Sequence, residues 1–159
     1  MADRLAREHR FPRERIAVVP NGYDPHPPLR PWQGPLNFDP FCITHVGTII
    51  ARNRPELFLQ CVMQLARSGK LDRTRFRFVG NLSRDYLRDE GLENVVETTG
   101  LVSRERAREE MESATALLLL VGKYVGTWGN NAKLFEYVQT GRPILCLEET
   151  PDSNDILNY

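Results

Sequence analysis

The run TALLLLV at residues 115–121 most constrains what this chain can fold into. Seven residues with almost no polar member have no face to offer water. Such a segment belongs inside a sheet covered on both sides, which is the setting of a central parallel strand. Parallel neighbours need crossover connections, usually helices, and the flanking sequence supplies them. FCITHVG (41–47) reads as an apolar strand ended by glycine, and PELFLQCVMQLARSG (55–69) as an amphipathic helix ended by glycine. RFRFVG (75–80) alternates and again ends in glycine, SRDYLRDEG (83–91) looks like a short helix, and NVVETTG (94–100) is a further strand stopped by glycine. SRERAREEMESA (103–114) is a helix with Ser103 as N-cap and Arg106 where a capping box would put Glu or Gln. Beyond the central run, GTWGNNAKLFEYVQTGRPILCL (126–147) holds one more helix and strand. The helix opens beside Asn130 and Asn131, carries Leu134, Phe135 and Val138, and stops at Gly141 and Pro143 before a short buried strand over 144–147. Strand alternating with helix predicts an α/β fold: three α/β/α layers, Rossmann-like, around a mostly parallel sheet.

The amino-terminal part is different. Residues 1–10 have helix-forming composition, IAVVP (16–20) reads as a short strand ended by proline, and NGYD (21–24) as a turn. PHPPLRPWQGP (25–35) has five prolines in eleven residues and predicts a stiff, extended connector. The expected division is therefore a flank and interdomain linker over 1–40 and a ligand-binding domain over 41–159. No internal repeat or low-complexity segment interrupts it. The 21 Lys and Arg balance the 21 Asp and Glu, which gives no broad footprint for nucleic acid. Cys42, Cys61 and Cys146 form no CxxC pair and read as buried free thiols in a reducing compartment. No apolar run approaches the roughly 20 residues of a membrane span, and MADRLAREHR lacks the apolar core of a signal peptide. A cytoplasmic location is expected.

In doubly wound sheets ligands bind beyond the carboxyl ends of the strands, at loops leading into helices. The candidate site therefore comprises the segments after Val46, Val79, Thr99 and Val121, all of which contain glycine. Neither GxGxxG nor GxxxxGK[ST] occurs, which argues against the simplest NAD and ATPase readings. His9, His26 and His45 are scattered without ligand spacing, so no metal site is expected, and His45 reads as a satisfied core histidine. What stands out is charge on the loops. Arg52 and Arg54 precede the helix that starts near Pro55, while Asn130, Asn131 and Lys133 sit at the start of another. Helix N-termini favour anions, and arginine adds bidentate phosphate contacts. Two such ends facing one cleft would hold a diphosphate, and Glu136 would accept hydrogen bonds from vicinal hydroxyls. Singly, the two arginines read as a solvated face, Asn130 as a cap and Glu136 as an exposed helical residue. Together on one rim they predict a phosphate-plus-sugar site.

The order VVPNGYD (18–24), THVGTI (44–49), RFRFVG, TTGLVS (98–103) and KLFEYVQTGRPIL (133–145) resembles the C-terminal, donor-binding half of a GT-B fold glycosyltransferase of the group-1, retaining type. The resemblance covers almost the whole chain. It implies a nucleoside-diphosphate sugar as donor substrate and no further cofactor. Gly100, Leu101 and Val102 would lie along the base, Glu136 would bind the ribose hydroxyls, and Lys133, Leu134, Asn130 and Asn131 would lie near the diphosphate. Arg54 matches the family's basic residue at the first helix, with Arg52 as the competing assignment, and the Gly47, Thr48 and Gly80 ends complete the rim. Two positions depart from the pattern: the family often has a glutamate, seven residues and then a second glutamate, and that spacing back from Glu136 falls on Trp128, while Thr48 stands where the family has an arginine. The resemblance also implies that an acceptor-binding N-terminal half lies outside this chain, which would begin at about that half's last helix and stop before the closing helices. Such a domain would bind donor without turning it over, and the full-length enzyme would be open to peripheral membrane association. The alternatives are a non-catalytic nucleotide-sugar or protein-binding module of the same fold, and a GT-B epimerase fragment.

Overall fold

The structure, a computed structural model, describes residues 2–19, 22, 31–36, 38–53, 55–87, 92–122 and 132–148. Its helices are α1 (Ala2–His9), α2 (Pro55–Arg67), α3 (Arg104–Ser113) and α4 (Ala132–Gln139). Its strands are β1 (Phe41–Val46), β2 (Thr74–Val79), β3 (Val96–Gly100), β4 (Ala116–Val121) and β5 (Ile144–Glu148). They form one sheet in the order β3-β2-β1-β4-β5, and every strand pair in it is parallel. The chain steps outward from β1 to β3 and then returns to the far side of β1. The direction of winding therefore reverses between β1 and β4. Right-handed crossovers in opposite directions put helices on opposite faces, and two separate cores result. Phe58 and Val62 of α2 pack with Phe76 and Phe78 of β2 and Leu118 and Leu120 of β4. Leu134 and Tyr137 of α4 pack with Met111 of α3 and with Leu117, Leu119 and Val121 of β4. Alternate residues of β4 thus feed the two cores, which is why the run is apolar throughout and buried along its whole length.

Polar contacts fix α3 in place. The Ser103 hydroxyl caps it by accepting from the Arg106 amide at 3.2 Å. Buried Glu110 receives Arg77 of β2 at 2.9 Å and Arg106 at 2.5 Å, while Arg77 also pairs with Glu97 of β3. The described part of the proline-rich segment is tied down too. The Trp32 amide donates to the Thr140 carbonyl at 2.7 Å, and the Arg142 guanidinium lies 5.3 Å from the centre of the Trp32 indole.

Four local expectations change. Residues 16–19 are not a strand, since Val18 and Val19 are exposed and the apolar run has no neighbour in the sheet to pair with. Only Arg84–Leu87 of the segment 83–91 forms a turn of 3₁₀ helix, residues 88–91 lying outside the described residues. β3 begins at Val96, later than expected, because residues 93–95 form a turn. Cys61 is an exposed thiol and not a buried one, while Cys42 and Cys146 are half-buried. The expected turn at 21–24 falls mostly outside the described residues. Among the described residues no helix is long and apolar enough to cross a membrane.

Candidate functional site

The reversal of winding leaves a gap. The ladder between β1 and β4 holds only Ile43 against Ala116 and Thr44 against Leu117. Beyond those pairs, side chains take over the backbone groups. His45 Nδ1 lies 2.9 Å from the Leu118 carbonyl, and Asn53 Nδ2 donates to the Leu120 carbonyl at 3.2 Å. The Tyr137 hydroxyl, buried on α4, accepts from the Val46 amide at 2.8 Å. Open α/β sheets bind ligands in the crevice at this position.

The rim of the crevice is backbone against backbone. Gly47 follows β1 at φ 123° and donates to the Val79 carbonyl at 2.7 Å; Gly80 follows β2 at φ 130° and donates to the Gly100 carbonyl at 2.9 Å. Both dihedrals favour glycine, and neither position has room for a side chain. A Cβ at Gly80 would stand 2.6 Å from the Gly47 carbonyl oxygen, and a Cβ at Gly47 would stand 2.4 Å from Cε of Lys133 and 2.9 Å from its Nζ. Lys133 therefore lies across Gly47. Burial lowers the pKa of its ammonium, and the Glu136 carboxylate one turn further along α4 opposes that shift. His45 is pushed down to about 4, first by burial and then by the charge of Lys133, against the opposing hydrogen bond to Leu118. Its imidazole is thus neutral at pH 7. Because a carbonyl can only accept, Nδ1 carries the proton. Nε2 is buried without a partner among the described residues, so the expected satisfied histidine is satisfied on one side only.

Of the predicted residues, the fold brings Gly47, Gly80, Gly100, Lys133 and Glu136 to the carboxyl edge of the sheet. Thr48 is exposed just after Gly47, and Leu101 is 80% exposed in the loop that leads through Val102 into α3. Leu134 has its side chain in the core, which leaves its backbone as the part able to meet a ligand. Arg52 belongs to the short 3₁₀ turn Ala51–Asn53. Arg54, Trp128, Asn130 and Asn131 lie outside the described residues. Sequence reasoning missed Asn53, Tyr137, Arg104 and Arg108. The last two, one helical turn apart, share with Glu136 and Gln139 a pocket of about 60 Å³ between α3 and α4, over Val46 and Met111. Their i, i+4 spacing on a helix leading from the rim was the available signal.

A larger hollow of about 560 Å³ lies on the opposite face, between α2 and β5, among residues such as Phe41, Leu57, Leu65, Leu145 and Leu147. Among the described residues no charged side chain lines it, so it does not suit a phosphate. Among the described residues no cluster of His, Cys, Asp and Glu is arranged to hold a metal ion.

No protein-family model matches this chain, and no curated protein matches it in sequence. Solved structures do match in fold. WaaG, a glycosyltransferase involved in lipopolysaccharide biosynthesis, superposes with a TM-score of 0.69 at 16% identity, over 96% of this chain and 43% of WaaG. TarM superposes with a TM-score of 0.58 at 13% identity, over 80% of this chain and 25% of TarM. The chain thus spans less than half the length of either. At such identities the likeness is one of fold: a Rossmann-like α/β domain with an all-parallel five-stranded sheet, matching half of a GT-B fold.

Proposed function

We propose that the chain is the donor-binding domain of a glycosyltransferase that moves a sugar from a nucleoside-diphosphate sugar to an acceptor held by a separate N-terminal domain. The observation that carries this reading is Lys133 laid across Gly47 at the mouth of the β1–β4 crevice, with Glu136 one turn further along the same helix. In this reading the diphosphate lies at the start of α4, between Lys133 and the amides of Asn130 and Asn131, with Arg54 (or Arg52) facing it from the start of α2. As the bond from the sugar to the diphosphate breaks, charge grows on the leaving phosphate oxygen. Fixed cations and helix N-termini then stabilise it more than they stabilise the bound donor. Glu136 accepts the ribose hydroxyls. The loop through Gly100, Leu101 and Val102 lies along the base. The nucleotide sugar is substrate, and the domain uses no resident cofactor.

Calorimetric titration with UDP, GDP and ADP tests the reading. One of the three should bind, and Lys133→Ala should weaken that binding about tenfold or more, the loss expected for one charge-assisted hydrogen bond. Its melting temperature should stay nearly unchanged. Absence of binding by all three, or undiminished binding by the variant, would overturn the assignment. Thr48 favours a second reading, a non-catalytic module of the same fold, because a hydroxyl beside Gly47 brings no charge to the leaving group. Transferase activity of the full-length chain separates the two.

A further inference from the structure

The pocket between α3 and α4 contains more than Glu136. Arg108 Nη2 is buried without a hydrogen-bond partner among the described residues. Its neighbour Arg106, by contrast, is committed to Glu109 and Glu110. Buried donors are nearly always paired, and an unpaired one is destabilising, so a free Arg108 N–H beside a carboxylate calls for a ligand atom. Gln139 donates its amide to the Phe135 carbonyl at 2.9 Å, which leaves its side-chain oxygen as a further acceptor. The remaining polar atoms are thus a donor on α3 and acceptors on α4, across one small space. A phosphate there would face the Glu136 carboxylate, and an ammonium group would face Arg104 and Arg108. A hydroxyl suits both walls, since it donates and accepts through one oxygen. The space is small, about 60 Å³. Its donor on one wall and acceptors on the other suit a vicinal hydroxyl pair. Val46 and Met111 give the carbon side of such a group an apolar floor.

We propose that this pocket is a two-sided hydroxyl subsite in which Glu136 accepts and Arg108 donates, so that Arg108 is a specificity-determining residue for ribose over deoxyribose. The proposal rests on the donor-binding reading above and goes beyond it in assigning α3 a part in recognition. The full chain should be titrated with whichever of UDP, GDP or ADP it binds and with the 2′-deoxy counterpart. Arg108→Met should weaken the ribonucleotide about tenfold and leave the deoxynucleotide within about twofold. Arg108→Lys keeps the charge but not the fork, and should lose the same selectivity; it also carries the test if the Met variant fails to fold. Glu136→Gln serves as the control. If it loses selectivity while both Arg108 variants keep it, or if the Arg108 variants weaken both ligands equally, the subsite is overturned and the donor reading stands. If the wild-type chain binds none of the three diphosphates, the donor reading falls and the subsite with it.

Discussion

At the scale of one residue, His45 turns the site into a stability statement. Its side chain is buried to 1% exposure and held neutral, with the pKa at about 4 against an ordinary 6.5. Above pH 6.5 neither state binds the extra proton. As the pH falls through 6.5 the unfolded chain takes it up while the native chain does not, so stability declines until about pH 4 and then levels. A shift of this size corresponds to a loss on the order of 3 kcal/mol. Denaturant titrations at intervals from pH 7.5 to pH 4 should show that decline, and His45→Gln should flatten most of it. Parallel pH profiles for the two proteins would mean that the imidazole is not kept neutral in the native state.

At the scale of the element, the strand ends carry the site, and substitutions there separate packing from binding. Gly47→Ala and Gly80→Ala both put a side chain where φ is positive, a strain of about 1–3 kcal/mol. They differ in what the new methyl meets. At Gly47 it meets the flexible end of Lys133; at Gly80 it meets the Gly47 carbonyl, which cannot move without moving the end of β1. Gly80→Ala should therefore lower the melting temperature more, while Gly47→Ala should displace Lys133 and weaken diphosphate binding at a smaller thermal loss. The reverse order of melting temperatures would contradict the packing of the rim. These ends were legible in the sequence because a glycine closing each of β1 to β4 and a β4 with two buried faces are local patterns. The parting of β1 and β4 was not, since the register of strands 73 positions apart is written in no local period. Nor was the clasp by Tyr137, because an aromatic at an apolar helix position reads as core and only the fold shows what its hydroxyl reaches. Residues 16–19 mislead in the opposite sense: the propensity for strand is there, but no neighbouring strand is.

At the scale of the whole molecule, the boundary between the flank and the sheet is open to direct test. Trp32 is fastened to the turn after α4, whereas the prolines continue through residues 25–28 ahead of it. Extended proline-rich segments commonly join folding units. A non-specific protease at low dose should therefore cut first within residues 22–30, leaving a fragment that begins near Trp32 and keeps the melting behaviour of its sheet. First cleavage inside residues 41–147 would place the boundary elsewhere. The seam between β1 and β4 bears on how the chain is made. β1, β2 and β3 have all been synthesised before β4 appears, and the groups that close the inner edge of β1 come from Ala116, Leu117 and Leu118 of β4 and, later still, Tyr137. At about 5–20 residues per second, that edge waits roughly 4–15 seconds on the ribosome for its neighbour. During that interval the nascent half-sheet presents the unpaired inner edge of β1, the kind of edge that pairs with other chains.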